Sequence, residues 1–213
     1  MLRYNTFVFN PFSENTYVVW DDVSKEAMVI DPGCYSKDEE KEFDEFIETN
    51  SLKLKYIVNT HCHLDHIFGN AYVKEKYSVE FYAPEKDIPL IDQFVDQAKA
   101  FGLEVTPSPK PDSFFDEEKS LSIGEHECKP LFTPGHTPGE FCLYFPSANI
   151  CFTGDVLFRQ SVGRTDLWGG DYVTLIDSIK EKLLTLADDV KVMPGHGEES
   201  NIGYERKFNS FLT

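Results

Sequence analysis

Three of the six histidines of this chain lie within six consecutive positions, with an aspartate among them. They directly follow residues 55–59, an apolar run typical of a β-strand, and they precede a run with helical spacing. α/β proteins tend to place ligands at such a strand end. Residues two apart in an extended chain face the same side, so His61 and His63 can bind one metal ion. The turn that follows offers Asp65 and His66 to a second ion. The pattern therefore predicts a metal site.

Three more candidate ligands follow strands further along the chain, each in a turn of small residues. They are His136, Asp155 and His196, in the segments 133–139, 152–155 and 193–197. Such turns expose the polar side chain that they carry. Imidazole and carboxylate ligands without cysteine suit zinc, iron or manganese and do not choose among them.

The remaining pattern predicts two β-rich halves, each with helices. Predicted strands are 6–9, 16–20, 27–30, 55–59, 80–83, 120–123, 127–132, 141–145, 149–152 and 190–193. Predicted helices are 36–49, 64–77, 85–101 and 172–187, besides a short helix near the end. Each sheet and each helix has one apolar face to bury, which favours two face-to-face sheets with helices outside. We expect one domain over 1–213.

Charge and cysteine content narrow the function. Lys and Arg number 20 against 37 Asp and Glu, for a formal charge of −17. That charge disfavours nucleic acid and anionic membranes, because binding to phosphates depends on Lys and Arg. The five cysteines are odd in number and form no CxxC pair, as expected for reduced thiols in a cytoplasm. We find no secretory leader and no apolar run of about 18 residues that could span a membrane.

The order His61-x-His63-x-Asp65-His66, then His136, Asp155 and His196, resembles the ligand series of the metallo-β-lactamase superfamily. The resemblance covers nearly the whole chain and implies a mixed α/β fold, the αββα sandwich of two mixed sheets with outer helices. It also assigns two divalent metal ions, with zinc first and iron or manganese as alternatives. One ion would take His61, His63 and His136, the other Asp65, His66 and His196, and Asp155 would bridge them. Asp31 matches a family position that supports the ligands.

The segment 154–166 resembles the glyoxalase II branch, the hydroxyacylglutathione hydrolases. This implies hydrolysis of a small-molecule thioester. Longer members of the branch have a C-terminal helical domain that supplies much of the glutathione site. We expect this chain, whose sequence runs to Thr213, to lack such a domain, which leaves the thiol carrier open. Glutathione-hydrolysing relatives carry a basic residue near Arg164, so this arginine is expected to bind a carboxylate on the thiol half. The alternative interpretation is that Arg164 forms an ion pair on the protein surface.

The predicted chemistry needs no serine or cysteine nucleophile. Metal coordination lowers the pKa of water from 15.7 toward about 7 and supplies hydroxide at neutral pH. Asp65 can orient that hydroxide or take its remaining proton. A thiol with a pKa near 8.5 leaves as thiolate without a general acid, whereas an amine needs one, so a thioester is the easier substrate.

Other functions remain open at this stage. A persulfide dioxygenase uses the same fold with a single iron, and a non-catalytic metal-binding module is a third possibility. A β-lactamase is less favoured, because Asp155 stands where the best-known zinc β-lactamases carry a cysteine ligand. His126 matches no ligand position and is expected to be a solvated turn histidine. Cys62 is expected to be a packing residue.

Overall fold

The computed structural model describes residues 1–212, which form two compact units. The first unit contains residues 1–114 and 122–126, and the second contains residues 115–121 and the chain from 127 onward. Within residues 1–212, no helix is both long enough and apolar enough to cross a membrane.

The first sheet has six strands and carries three helices in its connections. Its strands, in spatial order, are β1 (Leu2–Phe9), β2 (Glu14–Asp21), β3 (Glu26–Ile30), β4 (Lys53–Val58), β5 (Glu80–Ala83) and β6 (Ser113–Phe114). β1 to β3 are antiparallel neighbours, and from β3 onward each pair is parallel. Parallel neighbours need a crossover connection. The crossovers contain α1 (Lys37–Thr49), α2 (Asn70–Tyr77) and α3 (Ile88–Ala100).

Helix α1 begins where the sequence predicts. The Ser36 hydroxyl accepts a hydrogen bond from the Glu39 backbone N–H, and the Glu39 carboxylate accepts one from the Ser36 backbone. This reciprocal cap satisfies backbone donors that the first helical turn leaves without partners. Phe43 and Ile47 bury the apolar face of α1 in the core of the first unit.

The helix predicted over 64–77 is wrong in its first part. Residues Leu64–His66 form a single 3-10 turn, and α2 begins only at Asn70. Two hydrogen bonds explain the break. The Asn59 side chain donates to the carbonyl of His66, and the Gly69 backbone N–H donates to the carbonyl of Pro32. These backbone groups are therefore committed to other segments and cannot join an α-helical ladder.

The second sheet also has six strands. In spatial order they are β14 (Ser200–Asn201), β13 (Lys191–Pro194), β10 (Ile150–Gly154), β9 (Phe141–Phe145), β8 (His126–Phe132) and β7 (Leu121–Ile123). β10 and β13 are parallel, whereas β8, β9 and β10 run antiparallel and so do β13 and β14. A short hairpin pairs β11 (Leu157–Phe158) with β12 (Ser161–Val162). The sheet is therefore mixed, like the first one.

Two helices accompany the second sheet, α4 (Tyr172–Ser178) and α5 (Ile202–Phe208). The helix predicted over 172–187 is shorter than expected. After α4 the chain forms a π-turn over Ile179–Leu183, in which Leu184 donates to the carbonyl of Ile179 five residues earlier. Two mixed sheets with helices confirm the predicted mixed α/β class.

Candidate metal centre

In the first unit, three of the predicted ligands lie close together in the segment that follows β4. The imidazole rings of His61 and His63 lie 4.9 Å apart between centroids, and those of His61 and His66 lie 4.1 Å apart. His61 and His66 are fully buried. One ligand atom from each of Asp31, His61 and His66 lies within 4.8 Å of the others. Burying several imidazole rings together is costly unless their nitrogen atoms have hydrogen-bond or metal partners. The grouping therefore favours a metal ion.

Asp31 connects this cluster to the turn after β3. Its carboxylate accepts hydrogen bonds from the Thr60 backbone at 2.7 Å and from the Thr60 hydroxyl at 2.6 Å. The Nδ1 atom of His66 lies 3.1 Å from the same carboxylate. Asp31 thus lies beside the Nδ1 atom of the predicted ligand His66, the kind of supporting position that the family resemblance implies.

These contacts determine which nitrogen of each imidazole ring carries a proton. A carboxylate can only accept, so the Thr60 hydroxyl donates to Asp31 and its oxygen is left to accept. The Nδ1 atom of His61 lies 3.1 Å from that oxygen and therefore carries a proton. The same reasoning places a proton on Nδ1 of His66. In both rings Nε2 is then the nitrogen that carries the lone pair, the usual arrangement for ligating histidines.

The two units contain pairs of ligand atoms at separations typical of a shared metal ion. In the first unit, His66 Nε2 lies 3.7 Å from Asp65 Oδ2. In the second unit, one oxygen of Asp155, Oδ2, lies 3.6 Å from His136 Nε2 and 3.8 Å from His196 Nε2. These separations exceed a hydrogen bond of about 2.7–3.2 Å. Two ligands on one tetrahedral zinc ion lie about 3.3 Å apart, somewhat more in distorted geometry. The donor set therefore fits a divalent metal.

Sequence reasoning missed two groups that position the ligands of the second unit. The backbone carbonyl of Arg164 accepts a hydrogen bond of 2.7 Å from Nδ1 of His136, which again leaves the lone pair on Nε2. The buried Glu140 carboxylate accepts a hydrogen bond of 2.8 Å from the Asp155 backbone. A backbone carbonyl leaves no signal in a sequence. Glu140, an acid in a turn just before an apolar strand, could have been suspected.

The loop after β12 lies directly on the Asp155 turn. A Cβ atom on Gly163 would lie 1.9 Å from the carbonyl oxygen of Asp155, so only glycine allows this approach. The Arg164 side chain is exposed and donates two hydrogen bonds to Asp166, at 2.7 and 2.9 Å. The side chain thus forms the surface ion pair of the alternative interpretation, and its binding of a substrate carboxylate stays a prediction. The contact of the Arg164 backbone carbonyl with His136 was part of neither interpretation.

Cys62 and the nearby Asp87 have structural rather than catalytic roles. Cys62 is fully buried, and burial raises the pKa of its thiol well above the usual range. A thiol in that state is a poor nucleophile, in line with the predicted packing role. The buried Asp87 carboxylate accepts a hydrogen bond of 3.2 Å from the Cys62 backbone N–H. Asp87, which sequence reasoning missed, thereby holds the backbone between His61 and His63.

The expectation that His126 is a solvated turn histidine is wrong. His126 begins β8, its side chain is 13% exposed, and its Nε2 atom lies 3.5 Å from Asp21 Oδ1. The reason is the tight turn before it, where the Gly124 N–H donates to the carboxylate of Glu26. This contact brings the hairpin tip against the acidic turn at Asp21. No group of potential metal ligands found among residues 1–212 includes His126.

We expect His126→Ala to leave metal content and turnover almost unchanged, because His126 pairs with Asp21 and belongs to no group of candidate metal ligands within residues 1–212. Elemental analysis and kcat on the purified variant are the measurements. Thermal unfolding should show a lower Tm, since the variant loses a largely buried contact. A large loss of metal or of turnover, at a temperature where the variant is folded, would show that this histidine belongs to the site.

Comparisons with known proteins show which family and which solved structures this chain resembles. The family model described as the metallo-β-lactamase superfamily matches residues 9–196. The hydroxyacylglutathione hydrolase GloC of Haemophilus influenzae is 40% identical over 203 residues, which are 94% of this chain and 93% of that protein. The range matched by the family model contains every predicted ligand position.

Two solved structures resemble the chain over nearly its whole length. The BLEG-1 B3 metallo-β-lactamase has a TM-score of 0.90 and 34% identity, covering 99% of this chain and 100% of that one. TTHA1623 in a di-iron-bound form has a TM-score of 0.87 and 34% identity, covering 98% of this chain and 100% of that one. The similarity therefore extends over both sheets.

Proposed function

Because this chain belongs to the metallo-β-lactamase superfamily, we propose that it is a metal-dependent hydrolase of acyl thioesters, of the glyoxalase II type. One observation carries the metal dependence: within each unit, imidazole and carboxylate atoms are grouped at metal-ligand separations. The thioester class is supported by the similarity to a hydroxyacylglutathione hydrolase.

We propose two divalent metal ions per chain, with zinc as the first candidate and iron or manganese as alternatives. One ion takes His61, His63 and His136, and the other takes Asp65, His66 and His196, with Asp155 shared between them. This assignment rests on the family's ligand order. It is supported in the first unit by the 3.7 Å between Asp65 and His66, and in the second by the position of Asp155 near both His136 and His196. The di-iron form of the relative TTHA1623 keeps iron among the candidates.

When bound, the two ions supply a hydroxide at neutral pH and polarise the substrate carbonyl. The protein's own residues orient the reacting groups and accept the proton. Asp65, which is partly exposed beside the buried His66, orients the nucleophile and accepts its proton. Asp31 and the Arg164 carbonyl hold imidazole rings in place, so the ligands need no rearrangement during turnover. The leaving thiolate needs no proton donor, because a thiol of pKa near 8.5 departs as the anion.

We propose further that the substrate is a small soluble thioester and that the enzyme works in the cytoplasm. All five cysteines are unpaired and buried, which suits a reducing compartment. The net charge of −17 disfavours nucleic acid and anionic membranes as partners.

Arg164 is the residue that we propose for binding the thiol half of the substrate. Its guanidinium already holds one carboxylate with two parallel hydrogen bonds, that of Asp166. A substrate carboxylate of similar geometry can replace that partner. The contact is exposed and therefore screened, so we expect Arg164→Ala to raise KM by about three- to tenfold, with less change in kcat.

The test of Arg164 uses a matched pair of thioesters, one with a carboxylate on the thiol and one with a neutral thiol. Only the charged substrate should show the higher KM. Arg159→Ala is the control, because Arg159 is an exposed arginine of the same segment that pairs with Glu198. Equal losses on both substrates would mean that Arg164 supports the loop and does not bind the substrate.

Hydrolysis of β-lactams is a second candidate, because the BLEG-1 B3 metallo-β-lactamase is 34% identical to this chain over almost its full length. The similarity to the thioester hydrolase is higher, at 40%. Asp155 also stands where the best-known zinc β-lactamases carry cysteine. A mono-iron persulfide dioxygenase and a non-catalytic metal-binding module are the other outcomes to test.

One panel of assays separates these functions. Zinc-loaded and iron-loaded protein are each given acyl thioesters, a chromogenic cephalosporin, and a low-molecular-weight persulfide with oxygen uptake recorded. We expect thioester hydrolysis to have the highest kcat/KM. A higher value with the cephalosporin would assign a β-lactamase. Oxygen uptake at one iron per chain would assign a dioxygenase. Metal binding with no turnover of any substrate would leave a binding module.

A further inference from the structure

The hairpin of β1 and β2 approaches the metal-ligand segments of the first unit at two points. At one point, the buried Thr16 hydroxyl lies 2.8 Å from the carbonyl oxygen of Asp31 and accepts a 2.8 Å hydrogen bond from the Gly33 N–H. At the other point, the Asn10 side chain donates to the carbonyl of Gly33 and to the carbonyl of Asp65, both at 3.0 Å. One hairpin therefore contacts both the turn after β3 and the ligand turn.

The turn after β3 needs such support. Asp31 has φ of +50°, a left-handed conformation that is uncommon and costly for a residue other than glycine. That conformation aims the Asp31 carboxylate at His66 and at Thr60, and Thr60 in turn contacts His61. A relaxed turn would withdraw the carboxylate from both rings. The Thr16 hydroxyl contacts both sides of this turn, the Asp31 carbonyl on one side and the Gly33 N–H on the other, and these contacts oppose the relaxation.

A buried carboxylate completes the support. Glu14 is fully buried, and its Oε2 atom lies 2.8 Å from the Thr16 hydroxyl. The same oxygen fills the space beside Gly33, since a Cβ atom there would lie 2.0 Å from it. Glu14 thus holds the Thr16 side chain in place and packs under the turn. Such close packing leaves the turn little room to move.

We propose that Thr16 and Asn10 are positioning residues, which hold the Asp31 turn and the Asp65 turn in the geometry that binds metal. The inference rests on the proposed metal site. Thr16 acts through Asp31 on His61 and His66, and Asn10 acts on the backbone of Asp65. Neither residue provides a metal ligand.

The central test compares Thr16→Val with Thr16→Ser. Valine keeps the shape of threonine but loses the hydroxyl, and serine keeps the hydroxyl. Zinc affinity is measured by competition with a chromophoric chelator, and cobalt-substituted protein gives a visible spectrum that reports ligand geometry. We expect Thr16→Val to weaken zinc binding by about ten- to a hundredfold and to change the cobalt spectrum. Thr16→Ser should remain close to the wild type in both.

Val18→Ala is the control for stability, because Val18 is a core residue of the same strand. It should lower Tm while leaving zinc affinity and the cobalt spectrum unchanged. Equal zinc affinity in Thr16→Val and the wild type would overturn the proposal. So would an equal loss of affinity in Val18→Ala, because the effect would then come from stability alone.

Asn10→Asp provides a second test should Thr16→Val fail to fold. Aspartate keeps the size of asparagine and the oxygen that accepts from Phe12 N–H, but it loses the two N–H donors. We expect zinc affinity to fall by about tenfold, and unchanged affinity would overturn the proposal. A wild type that bound neither zinc nor cobalt would instead refute the proposed metal site, so the two failures are distinguishable.

Discussion

Replacing Asp155 with alanine is expected to lower kcat/KM by about a thousandfold, the loss typical when one main electrostatic element of an active site is removed. Asp155 places a single oxygen near both His136 and His196 in the second unit. In the proposed site it also serves both metal ions. Its removal should therefore reduce metal content below two per chain in protein prepared without added metal.

Kinetics with an acyl thioester and elemental analysis of the same preparation test this prediction. Asp177→Ala is a suitable control, because Asp177 is an exposed aspartate on α4 of the same unit. That variant should keep its activity and its metal. An Asp155→Ala protein with wild-type turnover would show that the reaction does not use the predicted ligand set.

Asp65→Asn is expected to reduce kcat strongly and to change KM little. The Asp65 carboxylate lies beside His66 and is assigned to the metal and to the nucleophile rather than to the substrate. Loss of a general base typically costs about a hundred- to ten-thousandfold in rate. Because asparagine keeps the size of aspartate, the difference reports the charge and the proton acceptor.

The measurement for Asp65→Asn is kcat and KM at saturating zinc, with the metal content determined on the assayed sample. Such conditions separate weak metal binding from slow chemistry. Wild-type kcat at full metal content would remove Asp65 from the mechanism. A raised KM with an unchanged kcat would assign Asp65 to substrate binding instead.

The strand ends and the ligand candidates could be predicted because their signals are local. An apolar run followed by polar or small residues marks the end of a strand, and every candidate follows such a run, from β4 at His61 to β13 at His196. The cap at Ser36 depends on residues within one helical turn, so it too was predictable.

The errors come from contacts between residues far apart in sequence. Helical spacing over 64–77 gave no sign that the Asn59 side chain donates to the carbonyl of His66, or that the Gly69 N–H donates to the carbonyl of Pro32. His126 was predicted to be solvated because its neighbours in sequence are polar. Its contact with Asp21, which is 105 positions away by the residue numbers, accompanies a side chain that is only 13% exposed.

The groups that support the ligands were the least predictable part of the site. The Arg164 carbonyl and the Thr16 hydroxyl act through positions that only folding brings together. Thr16 lies in an apolar strand, where a threonine is ordinary. Glu140 and Asp87 are buried acids, and burial is a property of the fold rather than of the local sequence. The family resemblance pointed to Asp31 alone among these supporting residues.

Titration of metal-free protein with zinc, while thioester hydrolysis is recorded at each step, tests the central claim most directly. We predict that activity is absent without metal, that it rises with added zinc, and that it reaches its maximum at two equivalents per chain. Maximal hydrolysis at one equivalent would contradict the binuclear assignment of the seven ligands. Absence of thioester hydrolysis at any zinc content, in protein that binds the metal, would contradict the proposed function itself.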